Sequence, residues 1–473
     1  HINFMIITLM IVVFVLGYMA IALEHPIKVD KAASALLIGG ITWALFAFGV
    51  FDIIGNESKK FLEFIEFYKL ENPNKTLEWI SLNYHELKIH FLGNELAHHL
   101  VDIAEILFFL LGAMTIVELI DAHEGFAIIT DKITTNKKVA LMWILCTITF
   151  FFSAALDNLT TAIVMAALLS KLIKDKEDLW MFAGMVILSA NAGGSWSPIG
   201  DVTTIMLWIG GQVSAANIIT SVFLPSVVCA LVPLIYLSFR LKGSVTRPEK
   251  IELSEHNIDP TTPFERNLVF YMGVAGLLFV PIFKTITHLP PYVGMLISLG
   301  VLWLVTEIIH RSKNHEQKSQ LSVIGVLKKV DTPTIFFFLG ILLAVAALQS
   351  AGQLDIVANY LNSTFNGQSV EGIYIINMII GLLSSIVDNV PLVAGAMGMY
   401  PIAETGLYAA DGMFWEFLAY CAGTGGSVLI IGSAAGVAVM GILKIDFIWY
   451  LKNISLLALM GYLAGAATYI LMQ

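Results

Sequence analysis

Apolar residues along this chain come in long runs rather than in alternation. Most of the runs are roughly 18 to 25 residues long, about what a helix needs to cross a bilayer, whereas barrel strands alternate over about ten. They fall at 4–23, 32–53, 97–120, 179–209 and 214–240, and again at 267–286, 292–310, 334–350, 413–443 and 447–471. Two further segments, 138–172 and 371–401, are interrupted near their middles by Asp-Asn pairs and are read as re-entrant hairpins. The pattern predicts an all-α polytopic membrane protein.

Composition agrees with this reading. With 473 residues, 57% hydrophobic and 13% charged, and a mean hydropathy of +0.81, the chain has more apolar surface than a soluble core could hide. The formal charge of −10 is spread over several loops and points to no nucleic-acid partner. Cys146, Cys229 and Cys421 lie inside apolar runs without paired or ligand-like spacing, so they read as small core residues. Ala20-Ile21-Ala22 resembles a signal-peptidase site, but no basic segment precedes it and the repeat described next needs a span there.

The order of elements recurs, and the recurrence extends to residues. Phe108–Gly112 answers Phe336–Gly340 at an offset of 228, Ser153–Asn158 answers Ser384–Asn389 at 231, and Gly193–Ser195 answers Gly425–Ser427 at 232. Basic residues then orient the copies, because lysines and arginines in short loops stay cytoplasmic. With each hairpin taken as re-entrant, one side carries Lys28, Lys132, Lys171, Arg240, Lys250, Arg311, Lys328 and Lys444 among others. Loops 210–215, 287–291, 351–370 and 402–412 on the other side carry none. Loop 54–96, with five lysines, is the exception, but long acid-rich loops translocate largely regardless of charge.

The expected architecture is therefore two inverted repeats, 1–240 and 267–473, each with five spanning helices and one hairpin. They are joined by a cytoplasmic linker, 241–266, and both termini lie outside. Hairpin 138–172 enters from the cytoplasm and hairpin 371–401 from outside, and the spans 179–209 and 413–443 are broken at the midplane. Inverted repeats with broken helices are a secondary-transporter architecture.

A carboxylate in the membrane interior is costly and normally faces a partner or a watery cavity. Asp157-Asn158 and Asp388-Asn389 each offer a carboxylate, an amide oxygen and the carbonyls freed where a helix stops, an oxygen-rich set suited to a hard cation such as Na+. Either pair can also cap the second arm of its hairpin, although a cap in lipid needs no charge. Asn191, Ser195, Ser197 and Asp201 in the first broken span, and Thr424 and Ser427 in the second, can complete an ion shell together with Thr160, Thr161, Thr203, Thr204 and Ser384. Asp201 faces Val428–Gly432 in the second copy, so the two sites are expected to differ. His98, Asp102 and Glu105, with Glu95 on the same face and Glu118 deeper, are candidates for a proton path or pH sensing. Neither break contains a phosphate loop or a complete GxGxxG.

The stretches Glu105–Asp121, Asp157–Thr161, Ser195–Thr204 and Asp388–Pro391 resemble those of the NhaD-type sodium/proton antiporters of the ion transporter superfamily. That resemblance implies exchange of Na+ or Li+ for H+, no cofactor beyond the transported ions, a bacterial inner-membrane or organellar setting, and a homodimer formed on the first spans of each half. Related dicarboxylate carriers have Ser-Asn-Thr at the hairpin tips, where this chain has Asp twice. The rival readings are a sodium-coupled dicarboxylate symporter, an arsenite permease and, from another class, an intramembrane aspartyl protease using Asp157 and Asp388.

Overall fold

Helices begin where a short polar residue precedes an apolar run. Asp30, Asp175, Ser214, Ser369 and Asp446 each accept a backbone N–H of the first turn, which satisfies a donor that lipid could not. Thr262 and Glu265 form a reciprocal capping box with Pro263 in the first turn.

The computed structural model describes residues 2–56, 58–248, 261–386 and 388–473. Residues 249–260 of the predicted linker, Lys250 included, lie outside the described residues. In chain order the first helices are α1 (Ile2–Ala22), α2 (Lys31–Ile53), α3 (Lys59–Glu71), α4 (Leu77–Leu82), α5 (Tyr84–Ala122), α6 (Lys138–Leu156) and α7 (Asn158–Leu172). Then come α8 (Lys176–Ser195), α9 (Val202–Ile209), α10 (Ala215–Arg240), α11 (Pro263–Thr287), α12 (Pro291–Ile309), α13 (Thr332–Ser350) and α14 (Gln353–Phe365). The last are α15 (Val370–Leu383), α16 (Asn389–Met399), α17 (Met413–Gly425), α18 (Ala434–Leu443), α19 (Phe447–Asn453) and α20 (Ser455–Met472). Among the described residues eight helices are long and apolar enough to cross a membrane. The chain is an integral membrane protein.

It divides into two compact units. The first comprises 1–107, 332–363 and 394–401. Its core gathers Phe46, Val50, Phe61, Ile65, Ile80, Leu87 and Phe91 with Ala346 and Ala347. Segment 54–96, expected as a long polar loop, instead contains α3 and α4, and α5 begins at Tyr84 rather than 97. Phe61 and Ile65 share one helical face while Lys60, Glu63 and Glu66 flank it, so charges dilute the hydropathy of helices that are amphipathic. Helices α2 and α13 meet backbone to backbone: a Cβ on Gly39 would lie 2.6 Å from the Gly340 carbonyl oxygen, the close approach that small residues permit in lipid. The Trp43 indole N–H donates to Leu343 O across the same contact.

The second unit comprises 108–331, 364–393 and 402–473. Its core is built on α6, α7, α8 and the α18–α20 segment, around Leu145, Met165, Phe182, Val186, Tyr450 and Ile454. Pro233 in α10 removes the bond that Cys229 O would accept in a regular helix, and Gly461 of α20 packs directly on that carbonyl. The chain also bends by 117° between α18 and α19, and the span predicted at 447–471 is two helices, α19 and α20, of which α20 is the long one.

Gly340→Val should lower the thermal stability of the detergent-solubilised protein by about 1–3 kcal/mol, since its side chain must open the α2/α13 contact. An unfolding curve superimposable on the unmodified protein's would contradict that packing.

Candidate functional site

The two predicted hairpins break at the Asp-Asn pairs. α6 ends at Leu156 and α7 starts at Asn158, with Asp157 between them at φ 94°. That positive φ is strained for a residue with a Cβ. It is held because Asp157 Oδ1 accepts the Thr160 amide and Oδ2 accepts the Thr160 hydroxyl, each at 2.8 Å. Asp157 is thus an N-cap as well as a half-buried carboxylate. Asp388 precedes α16, and its Oδ1 accepts the Val390 amide at 3.2 Å.

Asn158 points inward. Its amide donates to Asp201 Oδ2 at 2.6 Å and to Asn191 Oδ1 at 3.1 Å. The Asn191 amide in turn donates to Ser427 Oγ and Ser433 Oγ, both at 2.9 Å. Asp201 caps α9, with Oδ1 accepting the Thr203 amide and hydroxyl, and the Thr204 hydroxyl donates to the Asp201 carbonyl. Asn158, Asn191, Asp201, Ser427 and Ser433 are all buried. Asp388 and Asp157 lie within electrostatic range of Asp201. Buried Thr161 adds a hydroxyl with no hydrogen-bond partner among the described residues.

Other predicted ligands spend their hydroxyls on the scaffold. Ser197 donates to Ala154 O, Ser384 to Gly381 O and Ala422 O, and Thr424 to Tyr420 O. Ser195 donates to Ala192 O and shares a bond with Ser226. Buried Asn389 lies beside Asp388. These contacts recur at the repeat offsets: Ser153 donates to Ala190 O as Ser384 does to Ala422 O. Gly193 leaves no room for a Cβ against Phe150 O, nor does Gly425 against Gly381 O. Such glycines let the breaks of α8 and α17 lie directly against the helical pairs.

One register needs correcting. Asp201 and Ser433 both N-cap the second segment of their broken spans, so the partner of Asp201 is Ser433 at offset 232, one residue past the Val428–Gly432 segment. Extending the Gly193/Gly425 register by eight residues would have found it. A carboxylate thus caps α9 and a hydroxyl caps α18.

A family model described as citrate transporter matches residues 18–417. The chain is 48% identical over 378 residues to sodium/proton antiporter 1 of Arabidopsis thaliana, a match covering 80% of this chain and 63% of that protein. It is 43% identical over 389 residues to sodium/proton antiporter 2 of the same plant (81% and 89% covered). Against the Na(+)/H(+) antiporter NhaD of Vibrio parahaemolyticus it is 30% identical over 417 residues (82% and 95% covered). The chain belongs to the citrate transporter family, among the NhaD-type antiporters. The chain spans less than two thirds of the length of the first of these relatives.

For this NhaD-type chain the acids of α5 separate into distinct settings. His98 and Asp102 form an exposed pair at 3.8 Å. The buried contact belongs to the neighbouring His99, whose Nε2 lies 3.1 Å from Ser350 Oγ, itself a donor to Glu95 at 2.7 Å. Glu105 is half-buried. Glu118 lines a recess with Asp121, Leu159, Thr160, Lys329 and Asp331. Among the described residues no group of three or more His, Cys, Asp or Glu side chains is placed to hold a metal ion.

A second polar cluster, past the ends of α5 and α12, carried no motif in the sequence. His123 Nδ1 is 2.7 Å from Leu119 O, so that nitrogen holds the proton and Nε2 accepts from His310 Nε2 at 2.7 Å. His310 Nδ1 has no hydrogen-bond partner among the described residues and sits 4.0 Å from Glu265, which pairs with Lys313. Burial, then the positive potential of His123 and Lys313, pushes His310 down to about 4, and burial lowers His123 as well.

Asn191→Ala should cost about 1–3 kcal/mol in thermal stability, since it strands Asn158, Ser427 and Ser433 together. A loss no larger than that of Ser433→Ala would refute the bridging role. A histidine held neutral when folded contributes stability that is complete above its unfolded value of about 6.5 and is lost as pH falls toward about 4. Melting temperatures taken between pH 7 and 5 should therefore drop, and His310→Gln should flatten the drop. Parallel slopes for the two proteins would overturn the assignment.

Proposed function

We propose that this chain is a secondary transporter exchanging Na+, or Li+, for H+, with cation and proton competing for the carboxylates of Asp157, Asp201 and Asp388. The observation that carries the reading is the buried network in which Asn158 joins Asp201 to Asn191, with the tip carboxylates in electrostatic reach. Burial favours a protonated carboxyl and a bound cation favours an ionised one, so the two ions exclude each other at one centre. If only neutralised carboxylates cross between the two faces, that exclusion becomes coupled exchange. The names of the relatives support the same chemistry.

The matched contacts at offsets 231 and 232 support two inverted copies, 1–240 and 267–473, with re-entrant hairpins at 138–172 and 371–401 and alternating access around the centre. In this reading the hairpins enter from opposite faces, the termini lie outside a bacterial inner membrane or its organellar equivalent, and the chain works as a homodimer needing no cofactor.

The family description favours a second reading, a sodium-coupled carrier of citrate or another carboxylate. Fixed carboxylates at both tips oppose it, because they would repel a dianion.

In everted vesicles holding an acid interior, added Na+ should release protons from the wild-type protein, and Asp157→Asn should abolish the response. Sodium-dependent uptake of labelled citrate, with no sodium-driven proton movement at any pH, would replace the antiport reading with the carrier one.

A further inference from the structure

Helix α11 carries a single charged residue between Asn267 and Thr287, and that residue is Lys284. A lone ammonium in a spanning helix is costly unless it is given a partner. One partner is the end of another helix. Lys284 Nζ donates to Trp208 O at 2.5 Å and stands 4.6 Å from the centre of the Trp208 ring. Trp208 lies in the last turn of α9, where carbonyls run out of helical donors and the backbone dipole is negative. Lys284 therefore binds both the Trp208 carbonyl, which also accepts the Gly211 amide at 3.3 Å, and the π face of the same residue.

The other end of α9 is Asp201. At eight residues the helix is about 12 Å long, so an anion at its N-terminus and a cation at its C-terminus sit on the two ends of one short dipole. The second copy supplies the contrast. There α18 is N-capped by neutral Ser433, and the carbonyl of its last residue, Leu443, accepts the neutral indole N–H of Trp180, while Lys444 beyond it is exposed. The side chains that bond to the ends of α9 are charged, whereas those that bond to the ends of α18, Ser433 and Trp180, are neutral.

We propose that Lys284 is a positioning residue for the cation site: docked on Trp208, it fixes the orientation of α9 and so the placement and ionisation of the Asp201 carboxylate at the far end. The inference rests on the reading of Asp201 as part of a cation centre.

The test compares wild type with Lys284→Met, Lys284→Gln and Lys284→Arg in proteoliposomes, reading KM for Na+ separately from maximal rate. The same purified proteins are followed by the sodium-induced rise in melting temperature, which requires binding alone. Met and Gln should raise the half-saturating Na+ by roughly three- to tenfold, with a smaller change in maximal rate, and Arg should restore most of it. Gln keeps a donor and much of the bulk, so it remains informative where Met impairs folding. If Met and Gln lower the melting temperature but leave half-saturation unchanged, Lys284 is only a structural cap and the proposal fails. It fails equally if Gln behaves as wild type, because the charge is then immaterial. A wild type that responds to Na+ in neither assay would instead defeat the cation-centre reading, a result distinct from unchanged variants of a responsive protein.

Discussion

Among apolar helices an ionised carboxylate has to be surrounded by donors or by a cation. Asp201 meets that demand with the amide of Asn158 on one oxygen and the amide and hydroxyl of Thr203 on the other. Everything near it follows from keeping those donors in place. Asn158 is fixed because Asn191 accepts its second proton, and Asn191 is fixed because Ser427 and Ser433 take its own. The polar chain runs from one helical break to two others, so a change in charge at any carboxylate is felt by all three elements.

Backbone contact makes that chain geometrically affordable. Gly193 against Phe150 O, Gly425 against Gly381 O and Gly200 against Ser153 O bring the breaks into backbone contact with the helical pairs. Larger residues would push the breaks apart and admit lipid or water between the carboxylates. The same economy of size holds α2 against α13 through Gly39 and Gly340, and α20 against α10 through Gly461. Strain at Asp157 belongs to this scheme: a positive φ turns the chain without a glycine, and the carboxylate that the turn presents is held by Thr160.

Much of this was legible in the chain because lipid imposes a crude rule, that a span is apolar for its whole length. The apolar runs follow from that rule, and the breaks at Asp157 and near Gly193 show as interruptions of it. Helices α3 and α4 did not, since their apolar faces are diluted by lysines and glutamates that hydropathy averages together. Ser433 was missed because a hydroxyl carries no signal alone, and only the cap geometry pairs it with Asp201. Side-chain direction was equally invisible: adjacent His98 and His99 face solvent and Ser350 respectively. His123 and His310 meet across 187 positions with no motif at either.

The central claim is that proton and sodium compete for one set of oxygens. Equilibrium binding of Na+ to the purified protein, measured as a series over pH, tests it without any transport step. Competition for a single proton predicts an apparent dissociation constant that weakens about tenfold per pH unit on the acid side and levels off on the alkaline side. An affinity for Na+ that stays constant across that range would contradict the account.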